Sequence, residues 1–454
     1  MEFKTKDKLI GIVSLGCDKN RVDTEIMITY LQNGGFRFTS DPAKANIIII
    51  NTCAFIEKAR KEAISTIDEM LEYKKTGDCE KVVVTGCMPQ KYLPELKKEF
   101  PDVDVFVGID NYADIVSIIE RAYKSKKVIE KIGKANTVPD VANRVVTTPN
   151  HYAYLKIADG CDNYCTFCTI PYIRGHYRSK PMDLLIKEAQ MLVKEGAREL
   201  ILVAQDTTKY GQDLKDKPTL VDLIKKLSKI KDLKWIRLLY CYPEGVSDEL
   251  LKEMQRNDKL CNYLDIPLQH VSNSVLKMMN RKINKDGIIK LVEKIQALPK
   301  RIAIRTTFMI GFPGETDEDY NELVEFVKKY KLTHVGFFEY SKEDGTVAAK
   351  MPNQIDSKTK RERMLNILNI ADKISKENRR KFIGSTIEVV YEGIDYNKEL
   401  FYGRSQYEAP EVDNLIYFKS TSLVDVGSFY EVKILKTMGD DLKGERVCEK
   451  FRVF

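Results

Sequence analysis

Along the first 125 residues, apolar runs alternate with stretches in which apolar positions recur every three or four residues. The runs Leu9–Leu15, Ile47–Ile50, Lys81–Val84 and Val103–Val107 read as strands. Val22–Leu31, Glu57–Tyr73, Tyr92–Phe100 and Tyr112–Tyr123 read as helices. Strict alternation of the two predicts an open parallel βα sheet with helices on both faces. An uninterrupted apolar strand such as Ile47–Ile50 suits a sheet buried on both sides. Residues 126–150 lose the pattern and read as a linker of Lys, Gly, Asn, Pro and Thr.

From 151 to 380 the strand-then-helix pattern returns six times, with strands expected at Tyr154–Ala158, Leu200–Ala204, Trp235–Leu239, Tyr263–Pro267, Ala303–Ile310 and His334–Tyr340. Six βα units are two short of a closed eight, which predicts a partial (β/α)6 barrel. A polar helix over Lys358–Arg380 leads out of it. From 384 to 454 short alternating runs, Thr386–Tyr391 and Phe429–Leu435 among them, are broken by Gly and Asn and predict a small antiparallel β-barrel. The expected class is α/β with three folded units: 7–125, 151–380 and 384–454.

A chain of 454 residues with 43% hydrophobic content can fill two or three cores. It has no run of eighteen apolar residues, and its start, Met1 to Lys8, is polar and charged, unlike a leader. Together with 31% charged residues and a mean hydropathy of −0.34, this predicts a cytosolic protein without a membrane partner. In that compartment thiols stay reduced, so grouped members of the ten cysteines point to metal or catalysis rather than disulfides. The net charge of +7 is a mild excess, unevenly spread. From Thr386 onward thirteen acidic side chains face nine basic ones, a net of −4, which leaves about +11 on the rest.

The run GCDNYCTFC spaces Cys161, Cys165 and Cys168 by three residues and then two, directly after the first barrel strand. Thiolates suit iron–sulfur clusters or zinc. Three cysteines within eight residues can occupy three corners of a [4Fe-4S] cubane and leave the fourth iron open. An open iron can chelate the amino and carboxylate groups of S-adenosylmethionine (SAM), whose reductive cleavage yields a 5′-deoxyadenosyl radical. A zinc site would need a fourth ligand, usually from a second pair; none lies nearby and His176 is isolated. A second set, Cys17, Cys53 and Cys87 in SLGC, NTC and TGC, follows three strands of the first unit. In an open parallel sheet the strand C-termini share one edge, so these should converge on a second cluster. Gly16 and Gly86 before them suit tight strand-end bends. Three buried structural cysteines are the alternative. Cys79, Cys241, Cys261 and Cys448 share no spacing and read as inert.

CxxxCxxC after the first strand of a partial barrel resembles the radical-SAM superfamily, over about 230 residues. The resemblance implies that the backbone at Phe167 approaches the adenine. It also implies a SAM pocket at the C-terminal strand ends, with Gln205, Asp206, Gln269, His270, Arg305 and Gly311 (of the run GFPGET) as candidates. Ala204-Gln205-Asp206 stands where the superfamily often has Gly-Gly-Glu, a departure at the amine-binding position.

The order of a second-cluster unit, a radical-SAM unit and a small barrel resembles the methylthiotransferases, whose C-terminal barrel is an OB-like TRAM domain. SLGCDKNRVDTE, CDNYCTFCTIPYIRGHYRSKP, AQDTTKYG, IRLLYCYPEG and DIPLQHVSNSVLKMMNR are similar to the branch that acts on a ribosomal protein. The tRNA-modifying branch typically has Gln-Asn at Gln205-Asp206 and Ser-His-Pro at Cys241-Tyr242-Pro243. The resemblance implies methylthiolation of an aspartate β-carbon in small-ribosomal-subunit protein 12. It also implies an electron-donor protein, two clusters, SAM and a monomeric chain. The readings set against it are a tRNA adenosine methylthiotransferase and a zinc-stabilised RNA-binding protein without catalysis. A tRNA-gripping barrel should be basic; an acidic one complements a basic ribosomal protein. Phe401, Tyr402, Tyr407, Tyr417 and Phe418 could stack on bases but read as barrel core.

Overall fold

The structure is a computed structural model that describes residues 7–139 and 143–447; Cys448 and the last acids and bases of the tail lie outside them. The first unit is a six-stranded, all-parallel sheet in the order Arg37–Phe38, Leu9–Ser14, Ile47–Thr52, Lys81–Gly86, Val105–Val107, Ile129–Lys131. Ile47 and Ile49 enter one apolar cluster and Ile48 and Ile50 another, so the run of four isoleucines feeds both faces. Two edge strands escape the sequence pattern. Arg37–Phe38 is two residues long, and Ile129–Lys131 falls in the stretch read as linker. That stretch is no free tether. Arg144 and Thr148 within it are buried.

The second unit is six parallel strands in sequence order: Tyr152–Lys156, Glu199–Val203, Trp235–Leu238, Leu260–Asp265, Ala303–Ile310 and His334–Glu339. The first and last are free edges, so the barrel is open. Leu200 and Leu202 pack outward on helices such as Met182–Lys194, while Ile201, Val203, Trp235 and Tyr263 face the lumen. Other units cover that inner face: Val22 and Ile26 from helix Asp18–Asn33 of the first, and Val390 and Ala409 from the third. Helix Asp18–Asn33 starts four residues before the periodicity predicted. Its first turns bury Lys19, Asn20, Asp23, Thr24 and Glu25 between the first sheet and the barrel, polar positions in which an apolar repeat leaves no trace.

The third unit is a closed barrel in the order Thr386–Asp395, Leu400–Arg404, Ile416–Lys419, Asp441–Arg446, Phe429–Met438. Four of its pairings are antiparallel, and Ile416–Lys419 with Asp441–Arg446 is parallel. Five strands cannot alternate direction around a closed ring, so one parallel pair is unavoidable. Phe418 is fully buried, and Phe401 and Tyr407 pack on the same core, as expected of core aromatics; Tyr402 and Tyr417 stand outside that core and face each other, ring centres 6.2 Å apart, with Lys398 donating to the Tyr417 hydroxyl (2.7 Å).

Candidate active site at two facing cysteine sets

The first cysteine set converges as the sheet topology requires. Gly16, at φ +91°, has the Cβ of Cys53 only 2.7 Å from where its own Cβ would stand, so the Cys17 and Cys53 strand ends touch. Gly86, at φ +97°, makes the matching bend before Cys87, which opens helix Cys87–Glu99. Cys17 is exposed, while Cys53 and Cys87 are buried. Cys87 Sγ lies 3.7 Å from Asn20 Oδ1 and 3.6 Å from Nη2 of Arg174, a barrel residue.

The second set sits on the loop after the first barrel strand. Tyr164, at φ 48°, takes the left-handed turn inside the three-residue gap. The loop is pinned from several elements: the Cys161 N–H donates to Gly175 O (3.1 Å), Thr166 N–H to Met279 O (3.2 Å) and Ala348 N–H to Thr166 O (2.9 Å). Donors also reach the sulfurs. The Ile170 N–H is 3.4 Å from Cys168 Sγ, the Tyr242 hydroxyl 3.4 Å from Cys165 Sγ, and Arg281 Nη1 3.8 Å from Cys165 Sγ. Burial holds the Tyr242 pKa well above the ordinary phenol value, with nearby Cys165 adding to it, so this hydroxyl keeps its proton to donate. Such donors, partly cationic, fit thiolates carrying the negative charge of a cluster.

Burial alone does not mark these cysteines. It pushes Cys161 up to about 11 and Cys87 up to about 12. It also pushes Cys241 and Cys261 up to about 12. These two sit in the barrel core, Cys241 against the Thr207 hydroxyl at 3.4 Å, and Cys79 is buried in the first unit. A guanidinium stands within hydrogen-bond reach of one cysteine in each set, Arg174 at Cys87 and Arg281 at Cys165, whereas Arg237 acts on Cys261 through its charge. Among the described residues, no three His, Cys, Asp or Glu side chains close around a single metal ion. A cubane spreads its ligands over separate corners instead of gathering them on one ion.

A buried polar interface joins the two sets. Arg174 Nη1 donates to both oxygens of Asp159 (3.1 and 3.0 Å), and its Nη2 to Asp23 (3.0 Å) and Asn20 (2.6 Å). Lys156 Nζ pairs with Asp159 at 3.0 Å and also with Asp23. Alongside, Arg144 pairs with Glu188 (2.8 Å) and with Glu25, while Glu25 accepts from Thr147. The strand-end segment Tyr240–Tyr242 spans the same gap on another side. The Tyr240 hydroxyl donates to Asp18 (3.1 Å), next to Cys17, and Tyr242 reaches Cys165. Arg174, Asp159, Tyr240, Tyr242 and Arg281 carry no chemistry-specific spacing. The signal for all but Asp159 is that they lie inside the runs quoted above.

The candidate SAM residues divide. Gln205 and Gln269 stand at the C-terminal end of the barrel with buried side-chain oxygens that have no hydrogen-bond partner. Gln205 Nε2 donates to Asp159 (3.0 Å), which ties it to the interface. Buried His270 accepts from the Ser272 N–H (3.0 Å). Asp206, its pKa raised by burial, accepts from Asn163 (3.0 Å) and Thr208. It lines an open cleft of about 540 Å³ with Cys165, Lys209, Tyr242 and Arg281. Phe167 packs edge-on against Phe312, ring centres 6.4 Å apart.

Two candidates make contacts with other parts of the fold. Arg305 donates to Asp413 of the third unit (2.7 Å) and faces Asp265 (3.8 Å), because a guanidinium in the lumen needs carboxylates to offset its desolvation. Gly311, at φ +73°, is demanded by the exit helix Ser357–Arg380, whose Lys360 Cγ would lie 2.4 Å from an added Cβ. The charge sum of the tail is also altered by packing. Glu408, Asp413 and Arg404 are drawn into the barrel contact, so the excess facing solvent is smaller than the −4 of the sequence.

Comparison with known proteins follows the same division. The Uncharacterized protein family UPF0004 matches residues 9–108, the Radical SAM superfamily 155–327 and the TRAM domain 383–447. The chain is 44% identical to Ribosomal protein uS12 methylthiotransferase RimO of Clostridium botulinum (strain Loch Maree / Type A3), over 96% of this chain and 97% of the relative. It is 45% identical to the protein of the same name from Thermoanaerobacter sp. (strain X514), over 96% of this chain and all of the relative. Among solved structures, the radical S-adenosylmethionine methyltransferase TsrM of Kitasatospora setae superposes with a TM-score of 0.55 at 14% identity, over 73% of this chain and 75% of that one, a likeness of fold. Membership of the radical-SAM superfamily implies a [4Fe-4S] cluster and SAM. With three matching units in order and 44% identity from end to end, the chain belongs to the RimO family of radical-SAM methylthiotransferases.

Proposed function

We propose that this protein adds a methylthio group to the β-carbon of an aspartate in small-ribosomal-subunit protein 12, uS12, with Cys161, Cys165 and Cys168 holding one [4Fe-4S] cluster and Cys17, Cys53 and Cys87 a second. The observation that carries the reading is the facing of two three-cysteine sets across one buried interface, in a chain similar to RimO proteins over nearly its full length. With SAM bound, the clusters supply one-electron cleavage of SAM and delivery of sulfur. The chain's own residues do the placing. Arg281, Tyr242 and the Ile170 N–H orient the Cys165 and Cys168 sulfurs, and Arg174 does so for Cys87. Helix Asp18–Asn33 covers the open barrel and keeps water from the lumen. Fixing the two sets on separate units that dock through Arg174 and Arg144 holds the reacting groups at short range. Gln205 and Gln269, with spare oxygens, are the SAM contacts this geometry favours. The reading includes a monomeric, cytoplasmic enzyme and an electron-donor protein; among the described residues no helix is long and apolar enough to cross a membrane.

The test is anaerobic incubation of the enzyme, SAM and a reductant with either purified protein 12 or tRNA, read by mass. A methylthio mass on the protein is expected; modified tRNA beside untouched protein refutes the reading. Replacing Cys17, Cys53 and Cys87 with Ala should lower iron by about half, one of two cubanes, and abolish methylthio transfer while 5′-deoxyadenosine still forms. Transfer that survives rules out the second cluster.

A further inference from the structure

Four buried cations stand in the contact between the first unit and the barrel, and one of them is under-matched. Lys156 pairs with Asp23 and Asp159, Arg174 with the same two, and Arg144 with Glu25 and Glu188. Lys19, with its side chain 9% exposed, has Asp18 as its single carboxylate within ion-pair distance among the described residues, at 3.1 Å. That carboxylate is itself divided. Its Oδ1 takes the Tyr240 hydroxyl (3.1 Å) and the Lys19 N–H (3.0 Å), while its buried Oδ2 has no hydrogen-bond partner. The Lys19 ammonium lies 3.2 Å from the centre of the Tyr240 ring, which holds it over the strand end instead of letting it reach solvent.

The place is as telling as the count. Lys19 is two residues past Cys17, and Tyr240 is two residues before Tyr242, whose hydroxyl touches Cys165. The ammonium therefore sits between the cysteine sets, where the reacting carbon must come. An ammonium carries three N–H donors. A second carboxylate arriving there would give Lys19 the two-acid pairing of its neighbours, and a backbone N–H beside it would satisfy Asp18 Oδ2. The other charges facing the spot are Asp265, which accepts from the Tyr240 N–H (3.0 Å), and Arg305, already held by Asp413.

We infer that Lys19 is the specificity-determining residue that pairs with the side-chain carboxylate of the substrate aspartate, with Asp18 Oδ2 accepting a substrate N–H beside it; this rests on the function proposed above. An asparagine at the same place would leave the ammonium with the shared Asp18 as its one carboxylate among the described residues.

The test measures binding by fluorescence anisotropy, using the anaerobic two-cluster enzyme and labelled protein 12, either native or with asparagine for the modified aspartate. The wild-type enzyme should prefer the aspartate form by about 30-fold or more, the scale of a close interfacial charge pair. Lys19→Met should bring the two forms level by weakening the native one, with iron content unchanged, and Lys19→Arg should keep most of the preference. A Lys19→Met enzyme that still prefers aspartate overturns the inference, as does one that loses both forms equally together with its iron. If the wild type modifies protein 12 while Lys19→Met keeps its preference, only this inference falls. If the wild type leaves protein 12 unmodified, the proposed function falls and takes the inference with it.

Discussion

Replacing Arg174 with Met should unsettle the contact between the first unit and the barrel more than any other single change there. Arg174 and Lys156 balance Asp23 and Asp159, a neutral group in which every side chain is less than a tenth exposed. Removing the guanidinium deletes four donated hydrogen bonds to carboxylate and amide oxygens and leaves one buried negative charge in excess. Breaking a buried pair by removing one partner costs about 3–5 kcal/mol. Methionine of similar reach limits the cavity, so the loss is electrostatic. If so, Arg174→Met combined with Asp159→Asn restores neutrality and should be more stable than Arg174→Met alone, by a coupling of about 1–3 kcal/mol. The assay is urea unfolding of metal-free protein followed through Trp235. This is the one tryptophan of the chain, fully buried and 4.7 Å from the Phe429 ring of the third unit. A Trp235 transition for Arg174→Met within about 0.5 kcal/mol of wild type, or a double variant no more stable than the single one, would refute the charge-balance reasoning.

Further outcomes follow from other contacts. Glu199 lies buried between Arg237 (2.5 Å) and Arg404 (2.8 Å); burial opposes its charge, but the two guanidiniums win and hold its pKa at about 2. Its folded pKa is below the ordinary value near 4.3, so its stabilisation is full above that and fades as pH falls toward 2. The stability gap between wild type and Glu199→Gln, of the order of 3 kcal/mol at neutral pH, should therefore shrink over that window in acid unfolding followed by Trp235. Gly311→Ala must hold φ +73° and displace Lys360, and should lower the thermal midpoint through a cost of about 1–3 kcal/mol. Cys241→Ala should leave the iron content unchanged by metal analysis, because its thiol is buried in the core against the Thr207 hydroxyl.

Much of the fold was legible because it depends on local pattern. Four isoleucines in a row suit a strand buried on both faces, and a βα repeat counted six times suits an open barrel. The two cysteine sets were legible for a topological reason: parallel strands share one C-terminal edge, so cysteines that each follow a strand must meet there. Edge strand Ile129–Lys131 was not, since three residues with one buried side chain carry no periodicity.

What the tertiary structure alone decided is which charges are spent and on whom. Arg305 reads as a ligand residue on the fifth barrel strand, and in the structure Asp413, more than a hundred positions later, accepts from its guanidinium. Nothing in the spacing of Asp23 and Arg174 sets them apart until the open side of the barrel closes over them. Residue type and spacing report burial, because burial follows the period of a helix or strand. The partner of a buried charge follows instead from which elements end at the same place in space. A lysine matched to one half-used carboxylate between two cysteine sets becomes visible only there.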